Sequence, residues 1–152
     1  MNEVQSTIEL PDLAAMAEFG ARIAAQLQPG DVVELRGDLG AGKSTLARAV
    51  LAALGHKGDV PSPTFTLIEL YDDAAMRMPV AHADFYRLDD AAEVLELGLD
   101  DYREGAALLA EWPEKGGGFA HELACLTIEL EIAEQGRRAI VSGGKAWQGR
   151  MP

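Results

Sequence analysis

Residues Gly37 to Ser44 read GDLGAGKS, and no other stretch of this chain constrains its fold as tightly. The octapeptide fits G-x-x-x-x-G-K-[ST], a loop that leaves a strand, turns sharply and enters a helix. Such a loop points several backbone N–H groups inward only where its residues approach closely and take unusual dihedrals, which Gly37, Gly40 and Gly42 allow. The following helix adds the positive end of its dipole, typically worth ~0.3–1 kcal/mol to an anion held there. Asp38, Leu39, Gly40, Ala41, Gly42, Lys43, Ser44 and Thr45 are therefore the candidate nucleotide-binding residues. Lys43 is expected to reach the β- and γ-phosphates, and the Ser44 hydroxyl to ligate Mg²⁺.

The flanks supply the context this motif demands. DVVELRG, before it, is a short β-branched strand, and after it Leu46, Ala47, Val50, Leu51 and Leu54 fall on one helical face that Gly55 can close. Upstream, STIEL has strand character, and Leu13, Met16, Ala17, Gly20, Ile23 and Leu27 lie near helical spacing behind Pro11. Downstream, PSPTFTLIELY is a proline-constrained turn and a strand, and MRMPVAHADFYRL a strand that ends near Asp84. DDAAEVLELG predicts a helix capped at Asp89 or Asp90 and closed by Gly98, and Ala106–Ala110 a buried strand with Glu111 at its carboxyl end. Leu126, Ile128, Leu130 and Ile132 alternate with polar residues before a turn near Gly136, which predicts an antiparallel hairpin. Strands alternating with helices, plus that hairpin, predict an α/β fold: a single-domain P-loop sandwich on a mixed sheet, spanning 1–152.

Composition narrows the function classes. At 152 residues, 48% apolar and 25% charged, the chain suits one globular domain with a proper core. No apolar run approaches the length of a membrane span, and the first residues lack the pattern of a secretory signal. Cys125 is the only cysteine, so no internal disulfide forms; a small buried hydrophobe and a cytoplasmic location are expected. The net charge of −12 argues against tight direct binding to nucleic acid or an anionic membrane, which needs clustered cations.

A phosphate loop also needs an acid at a nearby strand end, to hold Mg²⁺ or position the attacking water. Glu111, after the apolar AALLA, and Asp84, after MPVAHA, both qualify. Asp72, Asp73, Asp89 and Asp90 sit in turn or capping contexts and read as solvated. Thr64 in PSPTF is either a γ-phosphate sensor or a turn hydroxyl. His82 reads as a hydrogen-bonded structural histidine, since His56 and His121 offer no matching ligand spacing, and Trp112 as either a site edge or core.

GDLGAGKST, SPTFTL, HADFYRL, ELGLDDY and AEWP, in this order, resemble the TsaE family, formerly YjeE. The resemblance runs from about Leu10 to Ser142. It implies a bacterial P-loop ATPase of tRNA threonylcarbamoyladenosine biosynthesis, acting with TsaD and TsaB on ATP and Mg²⁺. Lys43, Asp84 and Glu111 would be its catalytic residues, with Ser44 and Glu111 holding Mg²⁺ and Asp84 supporting hydrolysis or a switch. The base pocket is implied near Asp12, Leu13 and Gly136. Two other readings compete: a binding switch that turns nucleotide over negligibly, and a small-molecule kinase. The kinase needs arginines brought over the phosphates, whereas Arg77, Arg87 and Arg103 are scattered.

Overall fold

The computed structural model describes residues 4–61 and 67–152. In chain order the elements are β1 (Val4–Leu10), α1 (Leu13–Gln26), β2 (Val32–Arg36), α2 (Lys43–Leu54), β3 (Ile68–Tyr71), β4 (Val80–Asp84), α3 (Glu93–Glu96), α4 (Leu99–Arg103), β5 (Ala107–Glu111), β6 (Cys125–Ile132) and β7 (Arg137–Gly143). The strands form one mixed sheet in the order β1-β7-β6-β2-β5-β4-β3. β2 runs parallel to both β5 and β6, and β4 parallel to β5. The outer pairs, β1 with β7, β6 with β7 and β3 with β4, are antiparallel.

Alternation along the strands assigns each residue to a face. Val33 and Leu35, Ala107 and Leu109, and Leu126 and Ile128 join Met16, Phe19 and Ile23 of α1 and Leu46, Val50 and Leu51 of α2 in one core. Val32, Ala81, Ala83, Leu108 and Ala110 point the other way, under Phe85, Leu88, Leu99 and Phe119. The same period puts His82, Asp84 and Glu111 on the α2 side, since Val80, Ala107 and Leu109 of their strands belong to that core. Three parallel strands, β2, β5 and β4, thus end side by side where the glycine loop begins. Open α/β sheets bind ligands at such an edge.

Asp12 caps α1, accepting the Ala15 N–H at 2.8 Å, an interaction worth about 1 kcal/mol. α1 crosses α2 at Gly20, where a Cβ would lie 2.5 Å from the Ala49 Cβ. Its buried stripe is Met16, Phe19, Gly20, Ile23 and Ala24; Leu13 and Ala17, expected on it, are exposed, Leu13 by 77%. The helix expected over 89–98 is also different. Residues before Ala92 form turns, with the Asp90 carboxylate accepting the Ala92 N–H, so only the one-turn α3 remains. Gly98, left-handed just past the cap residue Leu97, closes α3 as expected and also opens α4.

Packing also extends before Leu10 and past Ser142. β1 pairs along β7, and Trp147 is fully buried, donating its indole N–H to Ala124 O at 2.8 Å. Arg150 forks onto Asp31 at 2.6 and 2.8 Å, fixing the last residues beside the start of β2. Cys125 is buried as expected. Among the described residues, no helix is long and apolar enough to cross a membrane.

Candidate functional site

The loop between β2 and α2 borders a cavity of about 340 Å³. Leu39, Gly40, Gly42, Lys43, Ser44 and Thr45 line it from the loop side, and Asp84 and Glu111 from the strand ends. Asp38 and Ala41 face a separate hollow beside β6, so their side chains lie outside this cavity. Gly37 sits where β2 enters the turn, with φ at +140°; a Cβ there would meet the Leu130 carbonyl at 2.5 Å.

Lys43 folds back onto the loop, donating to the carbonyls of Gly37 at 2.6 Å and Asp38 at 2.9 Å. Its ammonium also lies 4.4 Å from the centre of the Trp112 ring. Burial pulls the Lys43 pKa below its ordinary value, with Glu111 and Asp84 acting in the opposite sense. Trp112 holds a left-handed backbone and packs its ring 4.9 Å from that of Tyr86, and both rings line the cavity. Of the two readings open for Trp112, the site edge is the one observed.

Glu111 connects the loop helix to the sheet. One carboxylate oxygen accepts the Ser44 hydroxyl at 2.9 Å, and the other meets His82 Nε2 at 2.6 Å. His82 is thus hydrogen-bonded, as its sequence context suggested, although its Nδ1 is buried without a partner among the described residues. Asp84 stands directly opposite Glu111 in the parallel register and accepts the Tyr86 N–H at 3.0 Å. Burial raises the Asp84 pKa, and nearby Glu111 adds to the rise, against the lowering effect of the Tyr86 N–H. Thr64 lies outside the described residues.

A serine hydroxyl beside a carboxylate is a hard oxygen pair. It fits Mg²⁺, which takes one or two protein ligands and completes its shell with phosphate oxygens and water. Among the described residues, no cluster of three His, Cys, Asp or Glu side chains could hold a metal unaided.

Arg137 was not anticipated. From the turn of the β6–β7 hairpin it donates to the carbonyls of Ala41 at 3.1 Å, Gly40 at 3.0 Å and Gly136 at 3.0 Å. It also forms the wall between the loop cavity and a more apolar one of about 190 Å³, lined by Leu10, Asp12, Leu13, Met16 and Gly136. An arginine in a hairpin turn ordinarily reads as a solvated charge, and no local pattern marks it. Asp12, Leu13 and Gly136, far apart in sequence, meet at this cavity.

A family model described as "Threonylcarbamoyl adenosine biosynthesis protein TsaE" matches residues 10–140. The chain belongs to the TsaE family. One TsaE protein, from Haemophilus influenzae, is 39% identical over 134 residues, covering 84% of this chain and 83% of its own length. The TsaE of Streptomyces coelicolor is 36% identical, covering 87% and 93% respectively. Among solved structures, Bacillus subtilis YdiB superposes with a TM-score of 0.73 at 28% identity, over 96% of this chain and 89% of that one. The family resemblance drawn from the motifs and the expected mixed α/β fold are both borne out.

Proposed function

We propose that this TsaE-family chain binds Mg·ATP and hydrolyses it to ADP and phosphate in support of tRNA threonylcarbamoyladenosine biosynthesis. The observation that carries the reading is the 2.9 Å hydrogen bond between Ser44 and Glu111 at the mouth of the glycine loop. It brings the expected metal hydroxyl and the expected metal carboxylate together from positions 67 residues apart. Mg²⁺, when bound there, would neutralise charge on the phosphate oxygens.

The remaining groups have distinct tasks. Loop N–H groups and the α2 N-terminus bind the phosphates, and Lys43 exchanges the Gly37 and Asp38 carbonyls for β- and γ-oxygens. The apolar cavity behind Arg137 receives the base against Leu13 and Met16. Asp84 orients the attacking water, while Trp112 and Tyr86 shield the reacting end.

Arg137 is committed to loop carbonyls and is the arginine lining the cavity among the described residues. Among the described residues no free arginine therefore faces a transferring phosphate, and turnover by the chain alone is slow. TsaD and TsaB, with tRNA held mainly by them, are the partners that accelerate it, and hydrolysis resets their complex between turnovers. The charge of −12 agrees with a protein that leaves the tRNA to others. Localisation in the cytoplasm follows from that role.

The test is phosphate release from Mg·ATP, by the chain alone and then with TsaD, TsaB and tRNA. Strong stimulation is the expected result. Tight ATP binding with no release under either condition would replace the ATPase by a nucleotide-loaded switch. Phosphate appearing on a metabolite would make it a kinase.

A further inference from the structure

We propose that His82 is a positioning residue for Glu111, holding the carboxylate in the orientation that presents Oε1 to Ser44 and to Mg²⁺. The inference rests on the ATPase reading above and extends it to a side chain behind the metal ligand.

His82 lies in the interior of β4, 1% exposed, paired with Leu109 of β5. Glu111 follows two residues later on β5 and faces the same side of the sheet. The contact between His82 Nε2 and Glu111 Oε2 is 2.6 Å and buried. An ionised carboxylate only accepts, so Nε2 is the donor in this contact. The other ring nitrogen, Nδ1, is buried and has no hydrogen-bond partner among the described residues.

This arrangement is poor for a residue kept only for packing. Val80, Ala81 and Ala83 precede and follow it in β4 ahead of the terminal Asp84, and an aliphatic side chain would fill the same interior without orphaning a polar ring nitrogen. Among the described residues, the one hydrogen bond the ring makes is with the candidate metal carboxylate. With Oε2 held by His82 and Oε1 engaged by Ser44, both oxygens of Glu111 are fixed, and rotation about its last bond would break both contacts. Hydrogen-bonding partners behind metal ligands set ligand orientation in this way, and their loss typically weakens metal binding or activity about 10–100-fold.

The experiment compares the wild-type chain with His82→Leu and His82→Gln. Leucine fills the volume without a donor, whereas the glutamine amide places an N–H near the position of Nε2. Mn²⁺ affinity of the ADP complex is measured by electron paramagnetic resonance, and ADP affinity without divalent metal by calorimetry. The Mg²⁺ dependence of phosphate release follows. H82L is expected to weaken Mn²⁺ about 10–100-fold and to raise the Mg²⁺ half-saturation in parallel. H82Q recovers most of that loss, while metal-free ADP affinity is the same in all three.

Wild-type Mn²⁺ affinity in a cooperatively melting H82L overturns the proposal, and so does an H82Q as weak as H82L. If H82L does not fold, His82→Gln against His82→Asn carries the contrast, because asparagine moves the amide to the Nδ1 position. A wild-type ADP complex that binds no Mn²⁺ overturns the Mg²⁺ ATPase reading itself, before His82 is at issue.

Discussion

Arg137 donates from Nε to the carbonyl of Ala41 at 3.1 Å, joining the β6–β7 hairpin to the glycine loop across 96 residues of sequence. By holding the Gly40 and Ala41 carbonyls, this guanidinium fixes the loop backbone at the cavity edge. Arg137→Ala is expected to weaken ADP binding roughly tenfold, a value in keeping with the ~1.5–3 kcal/mol of a charged hydrogen bond. Arg137→Lys should recover little, since an ammonium does not reproduce the fork over Gly40 and Ala41. Calorimetric titration with ADP measures both, and unchanged affinity in the alanine variant would discard the clamp.

On the proposed function, variants at Lys43, Ser44 and Glu111 separate binding from metal use. Lys43→Ala should remove most nucleotide affinity. Ser44→Ala and Glu111→Gln should spare much of that affinity and shift the Mg²⁺ needed for half-maximal phosphate release upward by about tenfold or more. A Glu111→Gln chain with wild-type Mg²⁺ dependence would remove Glu111 from the metal position.

Asp84 makes a pH prediction with a definite sign. Its folded-state pKa is raised by burial above the ordinary 3.8. Between those two values the folded chain binds the proton more tightly than the unfolded chain. Its contribution to stability is therefore fully present below 3.8 and is lost as pH rises through the raised value. Asp84→Asn keeps an acceptor for the Tyr86 N–H and carries no charge. It should melt above the wild type at about pH 7, with the gap closing as acid protonates the wild-type carboxyl. Equal melting temperatures across that range would contradict the assignment.

Gly37→Ala should cost about 3 kcal/mol or more of stability. The added methyl meets the Leu130 carbonyl at 2.5 Å in a left-handed backbone that resists relaxation. Chemical denaturation reads the loss directly, and a variant as stable as the wild type would show that β6 can yield.

Burial pushes the Cys125 thiol up to about 12, and its Sγ lies 3.8 Å from the Thr127 hydroxyl. Thiol reagents should leave the native protein unlabelled and react at once in denaturant. Rapid labelling of the folded chain would sink this prediction.

The parts of the site written as local patterns were readable from sequence, and the parts made by tertiary approach were not. The loop, α2, Asp84 and Glu111 follow from a motif and a strand period of two, and the structure brings them to one cavity edge. Periodicity drew the α1 stripe through Leu13 and Ala17. The helix sits instead so that Phe19 and Ala24 are buried, leaving Leu13 to line the apolar cavity. Over 89–98 a capped-helix pattern gave way to turns because no residue of α3 is buried to hold a longer helix in place. Arg137 and Trp147 left no signal: one acts through backbone carbonyls distant in sequence, and the other packs from a segment without periodicity.

β1 pairs with β7, so its hydrogen-bonding edge is synthesised roughly 130 residues before the strand that satisfies it. The Leu10–Met16 wall of the apolar cavity and the Gly136–Arg137 turn that faces it come from those same distant segments. A growing chain can therefore have its glycine loop and α2 synthesised while still lacking the Gly136–Arg137 wall of the apolar cavity. On the proposed function, a bound nucleotide would act as a latch between segments that lie far apart in the chain.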